Sequence, residues 1–318
     1  MEYYFYLIAG FVILLYSGNY LIKGSVSLAN RYKVSRLVIG VTLVSFGTSA
    51  PELFVSCIAA ISDKGSISVG NIIGSNIANI ALVLGITSII FPIPVKASAT
   101  KFNWPVMMAA SIIFYIFIMN GNLELWEGLV FLILLSTYLF FTLTYSSKDY
   151  EFGEKRKMQV RFSPALSVVI IILSSAGLGA GSYLLVEGAA NIARIIGIEE
   201  RVISISVIAF GTSVPELATS IIAAFKKEMD ISIGNIIGSN IFNILGVLGI
   251  ASIINPITIT HDMKLKNDIF WMLGISLILF LFMLPLKRGK LTHLKGIVLF
   301  AIYCIYIYWL FLTNSPGK

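Results

Sequence analysis

The chain has 318 residues, 57% of them hydrophobic and 12% charged, with 23 Lys and Arg against 16 Asp and Glu and a formal net charge of +7. A soluble domain is about a quarter charged, so this composition excludes a large soluble domain and describes a membrane protein. The basic residues are scattered through short segments between apolar runs, which points to a lipid bilayer as partner and away from nucleic acid.

Taken in chain order, apolar stretches bounded by charge, Pro or Asn predict ten membrane spans, at 4–22, 37–61, 67–91, 102–120, 124–146, 163–186, 202–225, 231–255, 269–286 and 292–313. Each is close to the roughly 20 residues that cross a bilayer as a helix. The expected fold is an all-α polytopic membrane protein with five spans in 1–146, a short linker at 147–162 and five more spans in 163–318. No basic residue precedes Lys23, so the first stretch lacks the positive start of a cleaved secretory signal and is expected to be a retained helix. Sorting Lys and Arg into alternating loops puts 17 on one side and 6 on the other. That bias predicts a cell-membrane protein whose linker is cytoplasmic and whose termini are both external. Cys57 and Cys304 lie in apolar runs without the partners of a disulfide or zinc site, and His261 and His293 lie in loops without metal-ligand company.

Shifted by 164 residues, the sequence aligns Gly24–Ile93 with Gly188–Ile257 without a gap. Phe46-Gly47-Thr48-Ser49-Ala50-Pro51-Glu52-Leu53 meets Phe210-Gly211-Thr212-Ser213-Val214-Pro215-Glu216-Leu217, and the segment from Ile67 to Asn76 meets that from Ile231 to Asn240. The chain thus consists of two related halves. Each holds an odd number of predicted spans, so matching segments are expected to cross the membrane in opposite directions. Charge agrees: the loop from Lys23 to Arg36 has four basic and no acidic residues, whereas its counterpart from Glu187 to Glu200 has three acidic residues and Arg194. Inverted repeats of this kind are typical of secondary transporters, with the binding site at the midplane between the halves.

Of the 16 acidic residues, Glu52 and Glu216 alone sit well inside apolar spans, and they occupy the same place in the repeat. A central ionised side chain costs about 2.5–3.5 kcal/mol, which a cation site offsets; protonated glutamates acting as interhelical hydrogen-bond glue are the plainer alternative. Pro51 and Pro215 withhold a helical donor and free carbonyls about one turn upstream, which makes those of Ser45, Thr48, Ala209 and Thr212 candidate ligands. With the hydroxyls of Thr48, Ser49, Thr212 and Ser213 they form an all-oxygen set, the preference of hard cations. A proline kink with small residues for close packing accounts for the backbone pattern but not for the glutamates. In the second motif, Gly70 and Gly74, like their copies from Gly234, lie four apart and let another helix approach. On an α-helix Ser75 shares a face with Asn79, and Ser239 with Asn243, so these four side chains can line the same cavity. Asn71 and Asn235 are equally accounted for by packing.

These paired Gly-Thr-Ser-x-Pro-Glu and Gly-Ser-Asn segments resemble the alpha repeats of the sodium/calcium exchanger family, in its compact prokaryotic form. The resemblance covers most of 37–91 and 202–255. It implies ten helices, with the second, third, seventh and eighth forming an ion-binding core across which the first and sixth slide. It also implies that Glu52 and Glu216 bind Ca²⁺ with the carbonyls of Thr48 and Thr212. Na⁺ would be held by Ser49, Ser75, Ser213 and Ser239 with carbonyls near Ser45 and Ala209, and Asn79 and Asn243 would complete the middle of the cavity. Where some relatives carry Asp this chain has Asn243, which resembles potassium-independent members. The linker at 147–162 is too short for the calcium-sensing domains of animal exchangers.

The expected function is a secondary antiporter that exports Ca²⁺ against inward Na⁺ flow, without a resident cofactor and with one chain sufficient. A calcium/proton exchanger is the nearest alternative, because a glutamate in apolar surroundings can also exchange protons. A channel needs a continuous pore, commonly built from rings around an oligomer axis, and a two-fold inverted repeat with its own paired acids argues against that; an enzyme is less expected still, because no Ser-His, Cys-His or paired-Asp constellation lies at depth.

Overall fold

The computed structural model describes residues 2–151, 162–197, 211–259, 263–285 and 289–313. Ala209, Phe210 and the start of the seventh predicted span, the middle of the linker, and His261 lie outside these residues. The described chain is helical: α1 Glu2–Tyr32, α2 Arg36–Thr48, α3 Ala50–Ile61, α4 Gly65–Ile90, α5 Ala99–Ile118, α6 Leu125–Glu151, α7 Pro164–Ile195, α8 Val214–Phe225, α9 Met229–Ile254, α10 Met263–Met283 and α11 His293–Thr313. Among the described residues seven helices are long and apolar enough to cross a membrane, or eight if α2 and α3 count as one broken span. The seventh and ninth predicted spans correspond to the shorter apolar helices Val214–Phe225 and Asn267–Met283.

Three features depart from straight α-helical spans. First, α1 runs to Tyr32, ten residues past its predicted end, because Lys23 does not stop the helix; its ammonium lies over the Tyr20 ring at 4.9 Å. Second, α2 and α3 meet at 47° across Ser49. Ser49 has φ −82° and ψ 6°, and Ser213, before α8, has φ −90° and ψ 0°. Both occupy the sparsely allowed region between helix and strand, each two residues ahead of a proline that cannot continue the hydrogen-bond ladder. Third, π-helical turns occupy Gly40–Val44, Ala78–Leu84, Ala99–Asn103 and Phe242–Leu248. Apolar composition carries no signal for such turns.

The predicted all-α class needs one addition, two short antiparallel ladders that tie loops of one half to the other. Ile93–Pro94 (β1) pairs with Lys290–Leu291 (β4), and Asn122–Leu123 (β2) with Ile257–Thr258 (β3).

Burial separates a core from a periphery. The apolar windows of α4 and α9 are 83% and 89% buried, against 17–33% for the other long spans, so this equivalent pair forms the centre. At the edge α1 and α7 run antiparallel along their length. Gly188 faces Tyr3 and Leu7, Gly181 faces Gly10, and Gly24 faces Ser167, so that a Cβ at Gly10 would stand 2.7 Å from the Gly181 carbonyl. Backbones approach this closely only where glycine leaves room.

Candidate cation-binding site

Glu52 and Glu216 are both 0% exposed, and each lies in the first turn of the helix that restarts after a break. Backbone amides at a helix N-terminus favour negative charge there, so the two breaks hold a carboxylate in place. Ser75 of α4 approaches Glu52, while Ser239 of α9, with Thr48 of α2 and Ser49 at the break, approaches Glu216, and the two carboxylates are close enough to repel. The halves are stitched reciprocally. Ser75 Oγ lies 3.2 Å from Thr212 Oγ1, and Ser239 Oγ 3.3 Å from Thr48 Oγ1.

Among the described residues, none of the carboxylate oxygens of Glu52 and Glu216 has a hydrogen-bond partner. The same is true of Ser49 Oγ, Ser213 Oγ, Asn79 Oδ1 and Asn243 Oδ1. Of the sixteen buried side-chain oxygens without a partner among the described residues, eight thus belong to these six residues, matched between the halves. Native interiors pair such groups because each unmet one costs about 1–3 kcal/mol. Two carboxylates, two hydroxyls and two amide carbonyls, with no sulfur or imidazole, suit a hard cation that takes six to eight oxygens. Among the described residues no group of three or more His, Cys, Asp and Glu is placed to hold a metal ion, so any cation here is held by hydroxyl, amide and backbone oxygens beside the two carboxylates.

The expected carbonyl ligands divide. Among the described residues no backbone amide bonds to the Thr212 carbonyl, while at the restart of each helix Leu53 N donates to Ser49 O and Leu217 N to Ser213 O, both at 3.1 Å. The Ser45 carbonyl, in contrast, accepts the Ser49 amide at 2.9 Å and the Thr48 hydroxyl at 3.3 Å. Its side chain reaches Gly40 O at 2.7 Å and Asn235 O at 3.0 Å, so Ser45 braces the break as well as bordering the site. The acceptors that proline leaves four residues upstream are those of Gly47 and Gly211, and the Ser182 hydroxyl of α7 donates to Gly211 O.

Ser182 was not marked by the sequence, because it lies in the sixth predicted span outside both motifs. Asn71 and Asn235 form hydrogen bonds at the border of the site. Asn71 Nδ2 donates to Ser56 Oγ at 3.0 Å, and Asn235 Oδ1 accepts the Thr48 hydroxyl at 3.1 Å. Asn76 and Asn240 are buried at the contact of α4 with α9, where the side-chain amide of each reaches the other's carbonyl at 3.3 Å. Their only sequence signal is membership of the repeated Gly-Ser-Asn triplet.

Residues 2–144 and 166–312 match the family described as sodium/calcium exchanger protein. CaxA of Alkalimonas amylolytica is 36% identical over 96% of this chain and 98% of its own length. The sodium/calcium exchanger MaX1 of Methanosarcina acetivorans is 30% identical over 96% and 97%. Among solved structures, the sodium-calcium exchanger NCX_Mj superimposes with a TM-score of 0.82 at 33% identity, covering 97% of this chain and 99% of that one.

Proposed function

We propose, from the premise that the chain belongs to the sodium/calcium exchanger family and is a multi-pass membrane antiporter of cations, that it exports Ca²⁺ in exchange for Na⁺ by alternating access. The observation that carries this is that the four oxygens of two fully buried carboxylates, with four more from Ser49, Ser213, Asn79 and Asn243, have no hydrogen-bond partner among the described residues. Glu52 and Glu216 supply charge to Ca²⁺ with the carbonyls of Thr48 and Thr212. Ser49, Ser75, Ser213 and Ser239 hold Na⁺ with carbonyl oxygen near Ser45 and Ala209, and Asn79 and Asn243 close the middle. Either ion load offsets the repulsion between the carboxylates, whereas the bare site resists the dry intermediate between inward and outward opening. Switching only when loaded is what couples the two fluxes.

Ten crossings in two inverted halves, 1–146 and 163–318, accommodate the loop contacts. Two loops that touch lie on one side of the membrane, so an even number of crossings separates them. Arg36 with Glu228 at 3.1 Å needs the α8 segment to cross, and the β1–β4 ladder needs α10 to cross. Together with the basic loops, this supports a cytoplasmic linker and external termini. All the ligands come from one chain, so a monomer suffices.

The test is ⁴⁵Ca²⁺ uptake into Na⁺-loaded proteoliposomes, under an outward Na⁺ gradient or a pH gradient alone. Uptake driven by Na⁺ and lowered by about two to four orders of magnitude by Glu52→Gln is the expected result, since removing one partner from a buried charged set costs about 3–5 kcal/mol. Uptake driven by protons alone would replace the reading with calcium/proton exchange, and flux independent of either gradient would replace it with a channel.

A further inference from the structure

The geometry points to Asn76 and Asn240 as positioning residues, each fixing which end of the opposite half's asparagine amide faces the transported cation. This rests on the cation-site reading above. All four asparagines are at most 1% exposed. The Asn76 backbone carbonyl can only accept a hydrogen bond, so the group facing it at 3.3 Å is the Asn240 NH₂, which also meets the Met107 sulfur at 3.7 Å. The Asn240 Oδ1 is thereby turned toward Asn79, and since Oδ1 only accepts, it takes the Asn79 NH₂ at 3.1 Å. Asn79 is left with Oδ1 on its other side, one of the unpartnered buried oxygens.

The same sequence of constraints runs in the other half. The Asn240 carbonyl orients the Asn76 NH₂ at 3.3 Å, with the Met272 sulfur at 3.7 Å, and Asn76 Oδ1 accepts the Asn243 NH₂ at 3.0 Å, leaving Asn243 Oδ1 unpartnered. Oxygen and nitrogen of an amide are alike in shape, and a rotated Asn79 or Asn243 would turn a donor with positive partial charge toward the cation. Two backbone carbonyls, whose chemistry is unambiguous, therefore set the polarity of the middle of the site. Neither Asn76 nor Asn240 needs to touch the ion.

The experiment is a pair of double-mutant cycles on the half-saturating Ca²⁺ concentration of Na⁺-driven uptake. Loss of one orienting hydrogen bond in Asn240→Ala is expected to raise that concentration about tenfold, and proportionally more than it lowers the maximal rate. In an Asn79→Ala background the same change adds little. Asn76→Ala behaves likewise against Asn243→Ala, while the crossed pairs, Asn240→Ala with Asn243→Ala and Asn76→Ala with Asn79→Ala, are additive. Should Asn240→Ala fail to fold, Asn240→Ser is read in its place. A fall in maximal rate alone, or additivity with Asn79→Ala, overturns the positioning role. If Asn79→Ala itself leaves half-saturation unchanged, the fault lies with the cation-site reading instead.

Discussion

Glu52 and Glu216 combine full burial with carboxylates that no described group hydrogen-bonds, a combination that helix N-termini make tolerable but not favourable. A cation that binds the folded state should therefore stabilise it strongly. At a Ca²⁺ concentration 100 times the dissociation constant, mass action adds about 2.7 kcal/mol, so the melting temperature of the purified wild type should rise with Ca²⁺ and that of Glu216→Gln should not. An equal rise in the variant, measured by differential scanning fluorimetry, would remove Glu216 from the site. The glutamates were legible in the sequence because an ionisable residue in an apolar run stands out, and stands out twice when the run is repeated. Ser182, Asn76 and Asn240 were not. Their roles depend on which neighbour each faces across a helix contact, and Asn79 and Asn243 lie inside π-helical turns, where α-helical spacing does not fix direction.

The elements divide by how they touch. α1 and α7 meet backbone to backbone through glycine, a seam that suits two helices moving as one body. Their contact with the core includes Ser175 of α7 beside Gly47 of α2, with 3.5 Å between its Cβ and an ideal Cβ on the glycine. Ser17 of α1 stands 3.2 Å from the equivalent position on Gly177 of α7. Both separations are near the Cβ–Cβ distance of a disulfide, about 3.5–4.5 Å. If α1 and α7 slide together across the core, oxidised Ser17→Cys/Gly177→Cys protein should still exchange ions. Gly47→Cys/Ser175→Cys should lose most exchange on oxidation and regain it with reductant. Equal sensitivity of both pairs in the ⁴⁵Ca²⁺ assay would refute the common motion. Long apolar runs made most of these helices readable in advance. The breaks at Ser49 and Ser213 were readable only in part, through the prolines two residues on, and the two-residue ladders not at all, since backbone pairing between distant loops leaves no periodicity in either.

At the scale of the molecule, one offset of 164 relates both the sequence motifs and the contacts they make. Thr48 meets Ser239 as Thr212 meets Ser75, and Asn76 and Asn240 meet each other. A site built on such reciprocity presents equivalent ligands to the two sides, so mirror-image movements of the halves can expose it to either. Its charge then constrains the stoichiometry. In the proposed site two ionised glutamates are neutralised by one Ca²⁺ or by two Na⁺, and charge counting permits further Na⁺ at the hydroxyls of Ser49, Ser75, Ser213 and Ser239 without requiring it. Any Na⁺ beyond two makes each cycle carry net positive charge in the direction of Na⁺. Ca²⁺ uptake into Na⁺-loaded vesicles would then move positive charge outward, and an inside-positive potential should accelerate it. Setting that potential with valinomycin and an inward K⁺ gradient should raise the initial rate of ⁴⁵Ca²⁺ uptake, whereas the same K⁺ without valinomycin should leave it unchanged. An unaltered rate under valinomycin would mean electroneutral exchange of two Na⁺ per Ca²⁺, and a response to K⁺ alone would mean that the asparagine at position 243 does not exclude potassium from the cycle.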